Sequence, residues 1–169
     1  MKNNKNKGNS YERTISKILS YWLSEKKYDK ALWRTSNSGA RATIYSKNKM
    51  FNENNAGDIG KNIKDNIYPN IDLFMSKFVI ECKKGYNTDF NFYPPFSKVF
   101  ISIMKQCIKQ SDSTEKEIFL IVKKNGGKDI VITPYNFKIQ YQLNFLYNYV
   151  YYNVYYLNDL IDKNLKDIL

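Results

Sequence analysis

Phe78-Val79-Ile80-Glu81-Cys82-Lys83, closed by Lys84-Gly85, is the stretch on which the reading of this chain turns. Its β-branched and aromatic residues, ended by a glycine, make it the clearest strand in the sequence. Side chains alternate across a strand, so Val79, Glu81 and Lys83 share one face and Phe78, Ile80 and Cys82 the other. The apolar set is expected on the core. A carboxylate and an amine then stand side by side on a rigid element, a placement that can hold a metal ion and a nucleophilic water.

Working outward, Ile71 to Met75 reads as a hairpin partner of that strand. Beyond the Pro94-Pro95 breaker, Val99, Phe100, Ile103, Met104 and Cys107 recur at helical spacing within Phe96 to Lys109. Glu117 to Val122 and Asp129 to Ile132 read as strands joined by the turn Asn125-Gly126-Gly127. Val150 to Leu157 is expected to be the last strand, followed by a short helix from Asn158. The Tyr- and Asn-rich tract from Tyr135 to Tyr156 is apolar enough to form sheet and helix.

Towards the N-terminus, Tyr11, Ile15, Ile18, Leu19, Trp22 and Leu23 have the spacing of an amphipathic helix of about four turns. Ala31 to Thr35 resembles a short strand running into the turn-forming Ser36-Asn37-Ser38-Gly39, and Ser46 to Asn55 is expected to be a polar loop. The order of elements predicts an α/β fold, a central mixed β-sheet flanked by helices. One domain over residues 1–169 is expected, with residues 1–9 as a flexible basic tail.

Composition narrows the chemistry. Histidine is absent, which removes every mechanism that needs an imidazole base, nucleophile or ligand. Cys82 and Cys107 lack the Cys-x-x-Cys spacing of a zinc or redox pair. Gly57-Asp58-Ile59-Gly60-Lys61-Asn62 is too short between its glycines for a phosphate-binding loop, so no nucleotide cofactor is expected. With no signal peptide and no apolar run of about 18 residues, a soluble, cytoplasmic protein without membrane contact is expected.

The net charge is +11, and residues 1–60 carry 12 basic and 5 acidic side chains. That balance suits a polyanionic partner. The Lys, Asn, Ile and Tyr enrichment of an AT-rich gene produces a basic surface as well.

Phosphodiester hydrolysis needs charge stabilisation at the scissile phosphate and a water made nucleophilic at neutral pH. Asp58, in Ala56-Gly57-Asp58-Ile59, is a second carboxylate upstream of Glu81. Together the two present hard oxygen ligands suited to Mg²⁺. Lys83 supplies a cation beside the water or the pentavalent phosphorus. Glu12 lies three residues before Ile15 and seven before Leu19, at the core-facing edge of the first helix, where an unpaired charge is costly. A place beside the metal explains it. Asp72, nearer to Glu81 in sequence, is a rival ligand to Asp58.

These residues carry a resemblance. Lys7-Gly8-Asn9-Ser10-Tyr11-Glu12-Arg13, Trp33-Arg34-Thr35 with Ser38-Gly39-Ala40, Gly57-Asp58-Ile59 and the Glu81-Cys82-Lys83 strand resemble the PD-(D/E)XK nuclease superfamily. Within it they are most similar to the Holliday-junction resolvases and their phage-type relatives. The resemblance implies that Glu12, Asp58 and Glu81 are the acidic metal-site positions and Lys83 the catalytic lysine, and its Gly-Asp-Ile form favours Asp58 over Asp72. It implies Ser38 near the DNA backbone and Gln106 near the active site. Arg13, Arg34 and Arg41 are candidate phosphate contacts.

By the same resemblance the protein is expected to be a structure-selective endodeoxyribonuclease acting on branched DNA as a homodimer. Mg²⁺ is its expected ion, with Mn²⁺ as a substitute. A restriction- or repair-type nuclease on the same site is the alternative. A non-catalytic nucleic-acid-binding protein, with 15 tyrosines for base stacking, is another.

Overall fold

The computed structural model describes residues 4–35, 57–62, 68–85 and 90–169. Helix α1 (Asn4–Leu23) begins within the stretch expected to be a flexible tail, so the helix is longer than its apolar spacing indicates. Its buried face is Tyr11, Ile15, Leu19, Trp22 and Leu23, the periodic set. Strands β1 (Leu32–Arg34) and β2 (Ile59–Lys61) follow as a two-stranded antiparallel sheet, with Arg34 opposite Ile59.

The segment read as a hairpin partner is a helix, α2 (Pro69–Lys77). Proline at its first turn favours a helix start, having no N–H to lose there. Ile71 and Phe74, three apart, are both buried on one side, a helical period that a five-residue window disguised as a strand.

Strand β3 (Phe78–Lys84) runs parallel to β4 (Glu117–Lys123), with Glu81 opposite Leu120. Between them α3 (Lys98–Thr114) makes the crossover. Ser97 caps it by accepting from the Phe100 N–H at 3.1 Å, satisfying one of the orphan donors of the first turn. The helix runs a turn beyond the expected Lys109.

Strand β5 (Asp129–Thr133) pairs antiparallel with β4 and with β7 (Val150–Tyr156); β7 pairs with β6 (Leu143–Tyr147). The sheet order is therefore β3-β4-β5-β7-β6. Short helices α4 (Leu157–Ile161) and α5 (Leu165–Ile168) close the described chain.

The sheet is buried on both sides. Phe78, Ile80, Phe119, Ile121 and Tyr155 pack with α1 and α2. Ile118, Leu120, Val122, Ile132 and Val154 pack with Phe100, Ile103, Met104 and Cys107 of α3. Burial on both faces explains the continuous apolar runs of β3 and β4, where alternation alone predicts one polar face. Glu81 therefore lies in the layer between sheet and α3, not on a solvated face, and it is 1% exposed. The architecture is the expected one, a mixed sheet between helices. Among the described residues no helix is long and apolar enough to cross a membrane.

Candidate active site

The approach of Asp58 to β3 depends on its neighbours. Gly57 has a positive φ of 79°, and a Cβ there would collide with the Ile80 carbonyl oxygen and lie 3.1 Å from Val79 Cγ2. Only glycine lets this backbone lie against β3. The Asp58 N–H then donates to the Ile80 carbonyl at 2.8 Å, and the Cys82 N–H donates to Asp58 Oδ2 at 2.9 Å. On the other side, the Thr35 N–H donates to the Asp58 carbonyl at 2.9 Å and Thr35 Oγ1 to the Gly57 carbonyl at 2.7 Å. Asp58 is thus clamped between the end of β1 and the middle of β3.

Lys83 lies between the two buried carboxylates. Its Nζ donates to Glu81 Oε1 and is 3.9 Å from Asp58 Oδ2. The same Glu81 oxygen accepts from Gln106 Nε2 of α3 at 2.9 Å. Glu81 Oε2 is buried and has no hydrogen-bond partner among the described residues. An anionic oxygen left unpaired in the interior is costly, and a cation is the natural complement.

Electrostatics follow from this crowding. Burial and the neighbouring Glu81 push the Asp58 carboxyl up to about 8, against the pull of Lys83 and the Cys82 N–H, with Glu12 adding to the rise. Burial works to lower the Lys83 ammonium, but Glu81 and Asp58 outweigh it and hold it above the usual lysine range. It is charged at neutral pH. Burial also pushes the Cys82 and Cys107 thiols up, so both stay neutral beneath the site. They are free thiols.

Glu12 is buried on α1 and ion-paired with the Arg34 Nε of β1. Arg34, expected at a phosphate, is therefore the counter-ion of Glu12, which burial requires. Arg13, on the next position of α1, is exposed. Asp72 lies on α2, on a helix rather than a strand beside β3, and is ion-paired with Lys61 of β2. Ser38 and Arg41 lie outside the described residues. Among the described residues, no group of three His, Cys, Asp or Glu side chains converges closely enough to hold a metal ion. The potential donors at the centre are the pair Asp58 and Glu81.

Thr35 is the member that sequence reasoning passed over. It entered only as the end of a short strand and of the Trp33-Arg34-Thr35 segment, with no role of its own, and its clamp on Gly57 spans 22 residues of chain. The Tyr11 hydroxyl makes another contact that sequence does not show: it donates to Asp129 Oδ1 at 2.6 Å, tying α1 to the start of β5.

A mixed five-stranded sheet between helices, with buried Asp and Glu either side of a lysine on its β3 edge, is a restriction-endonuclease-like core. Residues 3–169 match the model of a family described as "Phage putative PDDEXK endonuclease", and the chain belongs to that family. It is a nuclease, and hence a hydrolase. No curated protein and no solved structure matched in the parallel comparisons.

Proposed function

We propose that this nuclease is a Mg²⁺-dependent DNA endonuclease selective for branched substrates, four-way junctions above all. The observation that carries the metal reading is Glu81 Oε2, a buried carboxylate oxygen without a partner, on the same residue whose other oxygen meets Lys83. Hard oxygen donors from Asp58 and Glu81 fit Mg²⁺, and Mn²⁺ takes the same donors. Glu12, set back on Arg34, acts on the site through water or through its charge.

The chemistry supplied by bound Mg²⁺ is neutralisation of charge at the scissile phosphate and acidification of water. The chain's own groups do the rest. Lys83, held protonated, donates hydrogen bonds and positive charge where negative charge grows on the phosphorus oxygens. Gln106 fixes the Glu81 carboxylate so that its unpartnered oxygen keeps its direction. Thr35 and Gly57 fix Asp58 in the same way. Burial keeps bulk water from competing.

Selectivity for junctions rests on the resemblance of the Glu12, Ser38 and Glu81-Cys82-Lys83 segments to resolvases. A homodimer accords with it, since a two-fold junction invites a two-fold protein. Strand β6 supports that state. It is an edge strand of the sheet, and residues 139–158 carry no charged side chain in a chain of net charge +11. Two copies can meet there without repulsion. Light scattering on the wild-type protein and on Leu146→Lys, a charge placed on that edge, tests the dimer; a monomeric wild type overturns it.

The activity is tested by incubating the protein with a four-way junction and with linear duplex, in Mg²⁺ and in EDTA. Paired nicks in the junction, absent in EDTA and in the Glu81→Gln and Lys83→Met variants, are expected. Equal cutting of both substrates would replace the junction reading with a restriction- or repair-type one. Cutting that survives in both variants and in EDTA would overturn the site.

A further inference from the structure

The lysines beyond the site, at the carboxyl-terminal end of β3 and β4, have no part in it. Lys84 and Lys123 face each other across these strands, and the turn between β4 and β5 adds Lys124 and Lys128. Like charges set opposite one another on adjacent strands oppose the fold. Asp129 answers one of them, pairing with Lys123 Nζ at 2.9 Å. The other three are each laid over an aromatic ring: Lys84 over Tyr11 at 5.4 Å, Lys124 over Phe90 at 5.9 Å and Lys128 over Tyr156 at 4.3 Å.

A ring orders a lysine without neutralising it. The stem is held in place while the charge stays available, so less rotamer freedom is lost when an anion arrives. The three rings come from α1, from the segment before α3 and from β7, so the rim is fixed by the core on both faces of the sheet. Between Lys124 and Lys128 the turn is tight: Gly126 takes a positive φ of 71° and the Gly127 N–H donates to the Lys124 carbonyl at 3.1 Å. Its exposed glycines let a backbone come close. From β3 to β5 is two strand spacings, about 10 Å. Phosphates of one strand advance about 3.4 Å each along the duplex axis, so a rim laid along that axis spans about three of them.

We propose that Lys84, Lys124 and Lys128 form a phosphate rail that receives the nucleic-acid backbone beyond the bond cut beside Lys83. The proposal rests on the nuclease acting on DNA, and it directs one arm of the substrate across the strand ends of the sheet towards the β4–β5 turn. Each phosphate contact contributes about 0.9 to the slope of log affinity against log salt.

The test measures binding of a fluorescein-labelled four-way junction and of a linear duplex, in EDTA, over a series of salt concentrations. The proteins compared are the wild type, the variant Lys84→Gln/Lys124→Gln/Lys128→Gln, and the charge-matched control Lys26→Gln/Lys138→Gln/Lys166→Gln. The rail variant is expected to lower the salt slope by about 2 to 3 and the control to lower it by under about 1. A slope unchanged in the rail variant, or lowered equally in the control, overturns the rail. Cleavage of the same DNA by the wild type in Mg²⁺ reports separately on the nuclease reading, which survives loss of the rail. Wild-type binding that ignores salt overturns the rail whatever the cleavage result. Charge reversal, Lys124→Glu/Lys128→Glu, must weaken binding further than the neutral variant; equal binding by the two also counts against it.

Discussion

Gln106 of α3 donates from Nε2 to Glu81 Oε1 of β3 at 2.9 Å, joining the helix that crosses between β3 and β4 to the carboxylate at the centre of the site. The bond leaves the other Glu81 oxygen pointed and unpaired. Gln106→Ala is therefore expected to keep the fold, because that residue is exposed rather than part of the core, while Glu81 loses a fixed direction. Partners that orient a metal ligand typically matter by roughly 10- to 100-fold in affinity or activity. Single-turnover cleavage over a Mg²⁺ titration should show a slower rate and a higher half-saturating Mg²⁺ concentration. An unchanged Mg²⁺ dependence would assign Gln106 to packing alone.

Asp58 has a carboxyl raised to about 8 in the folded protein, first by burial and then by Glu81. An unfolded Asp titrates near 4. Between those values the folded state holds a proton that the unfolded state has released, so stability falls as pH rises through that window. Without metal, Asp58→Asn should raise Tm at pH 8 by a few degrees and leave it unchanged at pH 4. Mg²⁺ should stabilise the wild type at pH 8 and leave the variant untouched, because ligand binding to the folded state adds stability. Thermal melts at the two pH values, with and without Mg²⁺, read all four cases. A variant less stable at pH 8 than the wild type contradicts the shift.

How much of this was legible in the sequence follows from distance along the chain. The site strand and the pairing of Glu81 with Lys83 need only alternation over three residues, so the strand announced them. Asp58 was preferred to Asp72 on its Gly-Asp-Ile form, while Asp72 drew its weight as a rival from a supposed strand over residues 71–75, and a helix that short looks like a strand until its Pro69 start and Ile71–Phe74 spacing are weighed together. Strand β6 was folded into the tyrosine-rich tract because its turn to β7, Asn148-Tyr149, has no glycine to mark it. The Arg34 pairing with Glu12, the Thr35 clamp and the Tyr11 link to Asp129 join positions 22 to 118 residues apart, and no local pattern encodes such contacts.

Gly57 is the residue on which the position of Asp58 hangs. An alanine there meets the Ile80 carbonyl and is held at a φ of 79°, which side chains rarely adopt. A residue forced into such a conformation costs about 1–3 kcal/mol, and the collision adds to it. Gly57→Ala should lower the urea midpoint accordingly and, by pushing Asp58 away from β3, slow cleavage more than it destabilises. Wild-type stability in this variant would mean that the segment approaches β3 less closely.

The turn at Asn148-Tyr149 offers an opposite test, a substitution that should strengthen the fold. Both residues have positive φ, 49° and 63°, the two-residue conformation that matches the twist of a β-hairpin. Asparagine tolerates it. Tyrosine does not, and Tyr149 is 99% exposed, so no packing offsets its strain. A non-glycine residue in the left-handed region costs roughly 1–2 kcal/mol. Tyr149→Gly restores the Asn-Gly pair that this turn prefers and should stabilise the protein by about 1 kcal/mol, somewhat less than the strain because glycine also gains freedom in the unfolded chain. Urea denaturation compares the two proteins directly. A lower midpoint for Tyr149→Gly would show that the tyrosine makes a stabilising contact at the tip of the hairpin, and light scattering on the same samples would tell whether that contact is with a second copy of the chain.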